Sequence, residues 1–134
     1  MRAKPELPEC LKVATGLRVP VFARETPPRA KIEALESYLL LGAFTQGELA
    51  EERLSLMVDL VPIEDEWSHL AGWEDLKQTR TEKGVMDAKR RLRPDLFDQL
   101  TSLRWMIARL QEEIDRLERE STKISRAYTF MTGS

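Results

Sequence analysis

One spacing constrains this chain more than any other feature. From Leu96 onward the apolar residues fall at Leu96, Leu100, Leu103, Ile107, Leu110, Ile114 and Leu117, followed by Ser121, Ile124 and Tyr128, in alternating steps of four and three. Such steps hold one stripe on one side of an α-helix. Sustained over about four heptads they define a coiled-coil seam, with Leu96, Leu103, Leu110, Leu117 and Ile124 at d and Leu100, Ile107, Ile114 and Ser121 at a. Neither glycine nor proline interrupts residues 95–127. The spacing therefore predicts one helix on the order of 45 Å long, more than a domain of this size encloses. Part of the seam must meet another helix, and the expected source is a second copy of the chain. A buried Leu or Ile contributes about 1.5–3 kcal/mol and an exposed ion pair well under ~1 kcal/mol, so the seam decides association. Arg109, Glu113, Arg116 and Glu120, flanking it, set register and partner. Trp105 and Met106 fall at f and g. They widen the apolar surface, which favours a bundle or ring over a two-stranded zipper; packing of Trp105 on residues 64–92 of its own chain is the other reading.

The rest of the chain reads as three shorter pieces. Residues 1–28 carry Pro5, Pro8, Pro20, Pro27 and Pro28, five of the seven prolines, and are expected to form an extended arm. Its cations, among them Arg2, Lys4, Arg18 and Arg24, would touch phosphate or lie on a partner subunit, the second being favoured. Thr26 before Pro27 reads as a helix start, with Ile32, Leu35 and Leu39 on its buried stripe and Gly42 at its end. Thr45 with Glu48 fits a capping box and Phe44 with Leu49 a hydrophobic staple, so a second helix is expected to run toward Leu60 and stop at Pro62. Residues 29–62 are thus predicted to be a small helical hairpin. The helix-turn-helix reading is opposed by charge, because Glu48, Glu51, Glu52 and Asp59 against Arg53 would repel a polyanion.

A third helix is expected to begin at Ile63-Glu64-Asp65-Glu66, where acids suit the macrodipole, and to bury Trp67, Leu70 and Ala71, extended by Trp73 and Leu76. Contiguous acids point around a helix and do not converge on a metal or an acid–base pair. Gly84 weakens the polar stretch after Gln78 and marks a hinge. Lys89, Arg90, Arg91 and Arg93 form the densest positive run, just before Pro94, and are the candidate nucleic-acid contacts; the competing reading pairs them with acidic residues of the same or an adjacent subunit. Residues 63–134 together form a helical oligomerisation region with its coiled coil at 95–127.

Composition narrows the chemistry. The 134 residues carry a net charge of −2, which hides strong segregation. Residues 1–31 hold seven basic against three acidic residues, 32–76 one against eleven, and 77–134 thirteen against nine. Such blocks point to an electrostatic division of labour or to contacts between chains, a solvated acidic face being the alternative. With a lone Cys10, a lone His69, no glycine-rich phosphate loop and no nucleophile elbow, the expectation is a non-enzymatic protein without cofactor or metal. No apolar run suggests a membrane span or a signal peptide, so a cytoplasmic protein is expected. All-α is the expected class: arm, hairpin, then a long heptad helix in a coiled coil or bundle.

The layout of a helical N-terminal segment followed by a long oligomerising helix is similar to the small terminase subunits of tailed bacteriophages. The string Leu110-Gln111-Glu112-Glu113-Ile114-Asp115-Arg116-Leu117-Glu118-Arg119, through Ser125-Arg126-Ala127-Tyr128-Thr129-Phe130, also resembles the ends of phage DNA-packaging proteins. The resemblance implies a ring-forming homo-oligomer in the host cytoplasm that binds viral duplex DNA and regulates a large terminase, the subunit that holds the ATPase and nuclease. Where that family has a basic recognition helix this chain is acidic, so Arg90, Arg91, Arg93 or the arm would have to engage DNA. A coiled-coil adaptor or regulator that binds a larger protein through its acidic middle is the alternative. It predicts a tight protein partner and no DNA binding.

Overall fold

The computed structural model describes residues 6–76 and 81–133. Arg2, Lys4 and Pro5 of the expected arm, the side chain of Leu76, and Gln78 to Arg80 lie outside the described residues. The fold is all-α: α1 (Glu9–Gly16), α2 (Pro28–Ser68), a 3-10 turn (Trp73–Leu76), α3 (Glu82–Leu92) and α4 (Pro94–Thr132), with no strand among the described residues. α4 is the heptad helix. It opens on Pro94, whose missing N–H costs nothing in a first helical turn, and runs unbroken to Thr132.

The upstream half departs from expectation. In place of a hairpin over 29–62, α2 is one helix of 41 residues that passes through Gly42, the Thr45–Glu48 pair and Pro62. Thr45 is buried and caps nothing. Gly42 is buried too, and a Cβ there would lie 3.4 Å from Ser121 Oγ, so glycine serves close helix approach and not helix termination. Pro62 is exposed; its ring costs a backbone hydrogen bond on the solvent side while Leu60 and Ile63 pack on the other. The expected third helix start at Ile63 is therefore the end of α2. Trp67 stays in its last turn, while Leu70 and Ala71 lie beyond it. The chain leaves through Gly72, whose φ of +93° an L side chain would resist. Gly84 is no hinge: it sits buried inside α3, its N–H donating to Thr81 Oγ1 at 3.1 Å. The arm is not wholly extended either, since α1 occupies its middle with Leu11 and Ala14 buried.

Two compact units emerge, each assembled from separated stretches and not from the consecutive segments 1–28, 29–62 and 63–134. Among described residues one unit comprises 6–53 and 109–133, the other 54–76 and 81–108. In the first, the opening part of α2 runs antiparallel to the closing part of α4. The Tyr128 hydroxyl donates to Glu36 Oε1 at 2.8 Å, Gly42 meets Ser121, Gln46 Nε2 donates to the Ile114 carbonyl at 3.4 Å, and Arg53 bonds Gln111. Leu35, Tyr38 and Ile124 form its core, with Val19, Phe22, Leu39, Tyr128 and Met131 against them. Leu49, Leu110 and Leu117 are fully buried, each worth about 1.5–3 kcal/mol.

In the second unit, the end of α2 runs antiparallel to the start of α4. The rings of Trp67 and Phe97 meet tilted at 46° with centroids 5.9 Å apart, and Arg104 bridges Glu64 at 2.9 Å. Leu60, Leu96, Leu100 and Met106 are buried, and α3 packs on the 3-10 turn.

Candidate interaction surfaces

The seam residues proposed for oligomerisation are largely covered by their own chain. Leu96, Leu100, Leu110, Leu117 and Ile124 are buried, and Leu103, Ile107 and Ile114 are half-buried. The helix that the heptads call for is α2 of the same molecule, so the expectation that a second copy must cover the seam is corrected. α2 brings a matching stripe: Leu35, Tyr38, Gly42, Thr45 and Leu49 in one unit, and Leu56, Leu60, Ile63 and Trp67 in the other. Met106, outside the seam, is buried, whereas Trp105 is almost half exposed.

The positive run is divided between structure and surface. Lys89 is only 8% exposed; its ammonium donates to the Trp67 carbonyl at 2.9 Å and the Ser68 carbonyl at 3.5 Å, and lies 5.9 Å from the Trp67 ring. Those carbonyls are the last of α2, where the helix dipole favours a cation. Arg93 grips the Asp95 carboxylate with Nε at 3.1 Å and Nη2 at 3.0 Å, and reaches Glu66 at 2.9 Å. The bonds to Asp95 and Glu66 raise the Arg93 pKa, and Arg93 holds the Asp95 carboxyl below its ordinary value. Arg90 lies 4.6 Å over the Phe97 ring and Arg91 is exposed. Two of the four candidate DNA contacts, Lys89 and Arg93, thus fasten α3 and α4 to the end of α2, leaving Arg90, whose guanidinium lies over Phe97, and Arg91 as exposed residues.

A second ionic cluster, which sequence reading reduced to ion pairs beside a seam, locks α1 in place. Glu113 is buried between Arg109, at 3.0 Å, and Arg116. Arg116 also bonds Glu120 at 2.8 Å and reaches the carbonyls of Ala14 in α1 at 2.6 Å and of Leu17 just beyond it at 3.4 Å. The Tyr38 hydroxyl donates to Glu120 at 2.6 Å. Burial and then the Glu120 carboxylate push the Tyr38 pKa up to about 12. Burial alone would raise Glu120, but the Tyr38 hydroxyl and Arg116 outweigh it and its pKa falls. Arg116 is desolvated as well, yet Glu113 and Glu120 hold its pKa above the ordinary value. Every member faces a fixed partner, so the cluster orients helices and does not poise a proton.

The remaining sequence candidates are bland. Burial and then the carboxylates of Glu52 and Glu48 raise the Cys10 thiol, which disfavours the nucleophilic thiolate. His69 is exposed with Nδ1 2.8 Å from the Asp65 carbonyl. Among the described residues no three His, Cys, Asp or Glu side chains are placed to hold a metal ion, and no helix is long and apolar enough to cross a membrane.

What sequence reading missed is the outward side of α2. Leu54, Met57, Val58 and Val61 recur at i, i+3, i+4 and i+7 and are 45–65% exposed. Their spacing is visible in the sequence, but it overlaps that of the inner stripe of Leu56, Leu60 and Ile63, so the two faces are told apart only once α4 covers one of them. Searches against protein-family models, curated proteins and solved structures found no match to the chain.

Proposed function

We propose that the chain is a non-enzymatic regulator or adaptor that docks a larger protein on the outward face of α2. The observation that carries this reading is the stripe of Leu54, Met57, Val58 and Val61, left bare on a helix whose opposite side is packed. Four large apolar side chains on one helical face are the anchors of helix-in-groove recognition, and contiguous exposed apolar surface is a mark of interaction sites. Exposed Asp59 beside the stripe, within the acidic block 32–76, selects a groove with a basic rim. In the small-terminase reading that larger protein is the large terminase subunit.

A photocrosslinking residue at position 58 tests the docking in the native host. The expected result is a discrete adduct with one larger protein, identified by mass and reproduced with that protein purified. Leu54→Asp with Val61→Asp weakens it about tenfold or more per anchor while helicity stays unchanged. An adduct only with itself, or one indifferent to the double substitution, contradicts the reading.

The exposed residues Arg90 and Arg91, at the end of α3, support a second reading in which the same protein is a homo-oligomeric phage DNA-packaging protein that contacts viral duplex. Duplex titrations between about 50 and 200 mM salt separate the two. Packaging predicts affinity that falls steeply with salt and is lost in Arg90→Glu with Arg91→Glu; the adaptor reading predicts no binding at either salt.

A further inference from the structure

The unit of residues 6–53 and 109–133 leaves two helix faces bare, and they carry opposite charge. On α2 the exposed residues Leu40 and Phe44 are followed by exposed Glu48 and Glu51. On α4 the exposed cations Arg119, Lys123 and Arg126 are followed by exposed Phe130. The apolar ends are open to solvent: Leu40 is 74%, Phe44 67% and Phe130 89% exposed. Neither face belongs to the packed side of its helix, which is formed on α2 by Leu35, Tyr38 and Leu49 and on α4 by Leu110, Leu117 and Ile124.

From these two faces we infer that copies of the chain associate with each other, the α2 outer face of one copy taking the α4 outer face of the next. The occupant is specified by pattern as well as by sign. From Leu40 to Glu51 is eleven residues, and from Phe130 back to Arg119 is also eleven, about 16 Å along either helix. Laid antiparallel, Leu40 meets Phe130, Phe44 comes beside Arg126, Glu48 meets Lys123 and Glu51 meets Arg119. The apolar termini and two acid–cation pairs fall in register together, and the third cation, Arg126, falls beside Phe44. The same α2 face set against its own copy would oppose Glu48 and Glu51 to identical acids, and the α4 face against itself would oppose cations, so two-fold pairing of either face is disfavoured. The contact is heterologous and joins copies head to tail, with α2 of successive copies parallel. It is separate from the Leu54–Val61 stripe and stands or falls independently of the docking reading. It also moves self-association away from the heptad seam.

Charge reversal tests it through complementation. One variant of the full chain carries Arg119→Glu, Lys123→Glu and Arg126→Glu; another carries Glu48→Lys and Glu51→Lys. All five positions are exposed, so each variant keeps the helicity of the parent. Sedimentation at about 100 μM should show the parent as an oligomer and each variant alone as a monomer, because each then opposes like charges. Mixing the two variants restores assembly, since every α2 face then finds an oppositely charged α4 face. A single chain carrying all five reversals self-associates again. A monomeric parent, variants that assemble like the parent, or a mixture that stays monomeric overturns the proposal. Phe130→Ser gives a second handle and is expected to weaken assembly about tenfold or more without altering the charge pattern.

Discussion

Tyr38 shows how single side chains set the chemistry of this molecule. Its ring belongs to a hydrophobic core and its hydroxyl belongs to the Arg116–Glu120 network, so one residue joins α2 to the cluster that clasps α1. Tyr38→Phe keeps the ring and deletes the donor. A loss of about 1–2 kcal/mol in denaturant unfolding is expected, the size of a partly buried hydrogen bond to a charged acceptor. The linkage signs differ for the two partners. The Tyr38 pKa is raised from 10.0 to about 12 in the folded state, so its stabilisation is complete below pH 10 and is lost as pH rises toward 12. Glu120 is lowered from 4.5, so its contribution is present above that pH and is lost on acidification through the folded value. Tyr38→Phe should therefore remove part of the alkaline loss of stability, measured as the denaturation midpoint between pH 9 and 12. An unchanged alkaline profile would show that the hydroxyl titrates as it does in the unfolded chain.

At the scale of elements, what was legible depended on whether packing and local signals agreed. In α4 they agreed: Pro94 marks the start, and the steps from Leu96 to Ile124 mark a face that is indeed buried or half-buried along its length. In α2 they conflicted. Its inner stripe also steps by three and four, from Leu35 through Tyr38, Gly42, Thr45 and Leu49. Two of those core positions are occupied by a glycine and a threonine, which read locally as a stop and a cap. Their actual use is close approach to Ser121 and burial between helices, facts that depend on a partner helix about eighty residues away in the chain. The bare faces were hidden for a related reason, because a helix that is apolar on two sides has no single stripe to read. The pairs among Arg109, Glu113, Arg116 and Glu120 are local and their spacing is visible in the sequence, but the reach of Arg116 to the Ala14 carbonyl and the clamp of Lys89 on the α2 carbonyls join residues distant in the chain and were out of reach. Pro62 offers the sharpest test of α2. It lies exposed inside a helix, so Pro62→Ala restores a backbone donor and should raise stability by about 1–3 kcal/mol, part of the helix-interior penalty being offset by a less restricted unfolded chain. Calorimetry checks this, and a destabilised variant would mean that the helix breaks at that residue.

For the whole molecule, the decisive relation is that α4 finds its helical partner within its own chain. That relation covers the heptads, frees the outer faces for other chains, and turns half of the positive run into internal fastening. Gly42 and Ser121 provide the direct test, because their separation is that of adjacent helices in contact. In a chain with Cys10→Ser, Gly42→Cys and Ser121→Cys, mild oxidation at nanomolar concentration should yield a disulfide within single chains, seen as a faster-migrating monomer on a non-reducing gel. Free thiols that never pair, or disulfides only in covalent dimers, would contradict the fold described here and return the seam to an intermolecular role.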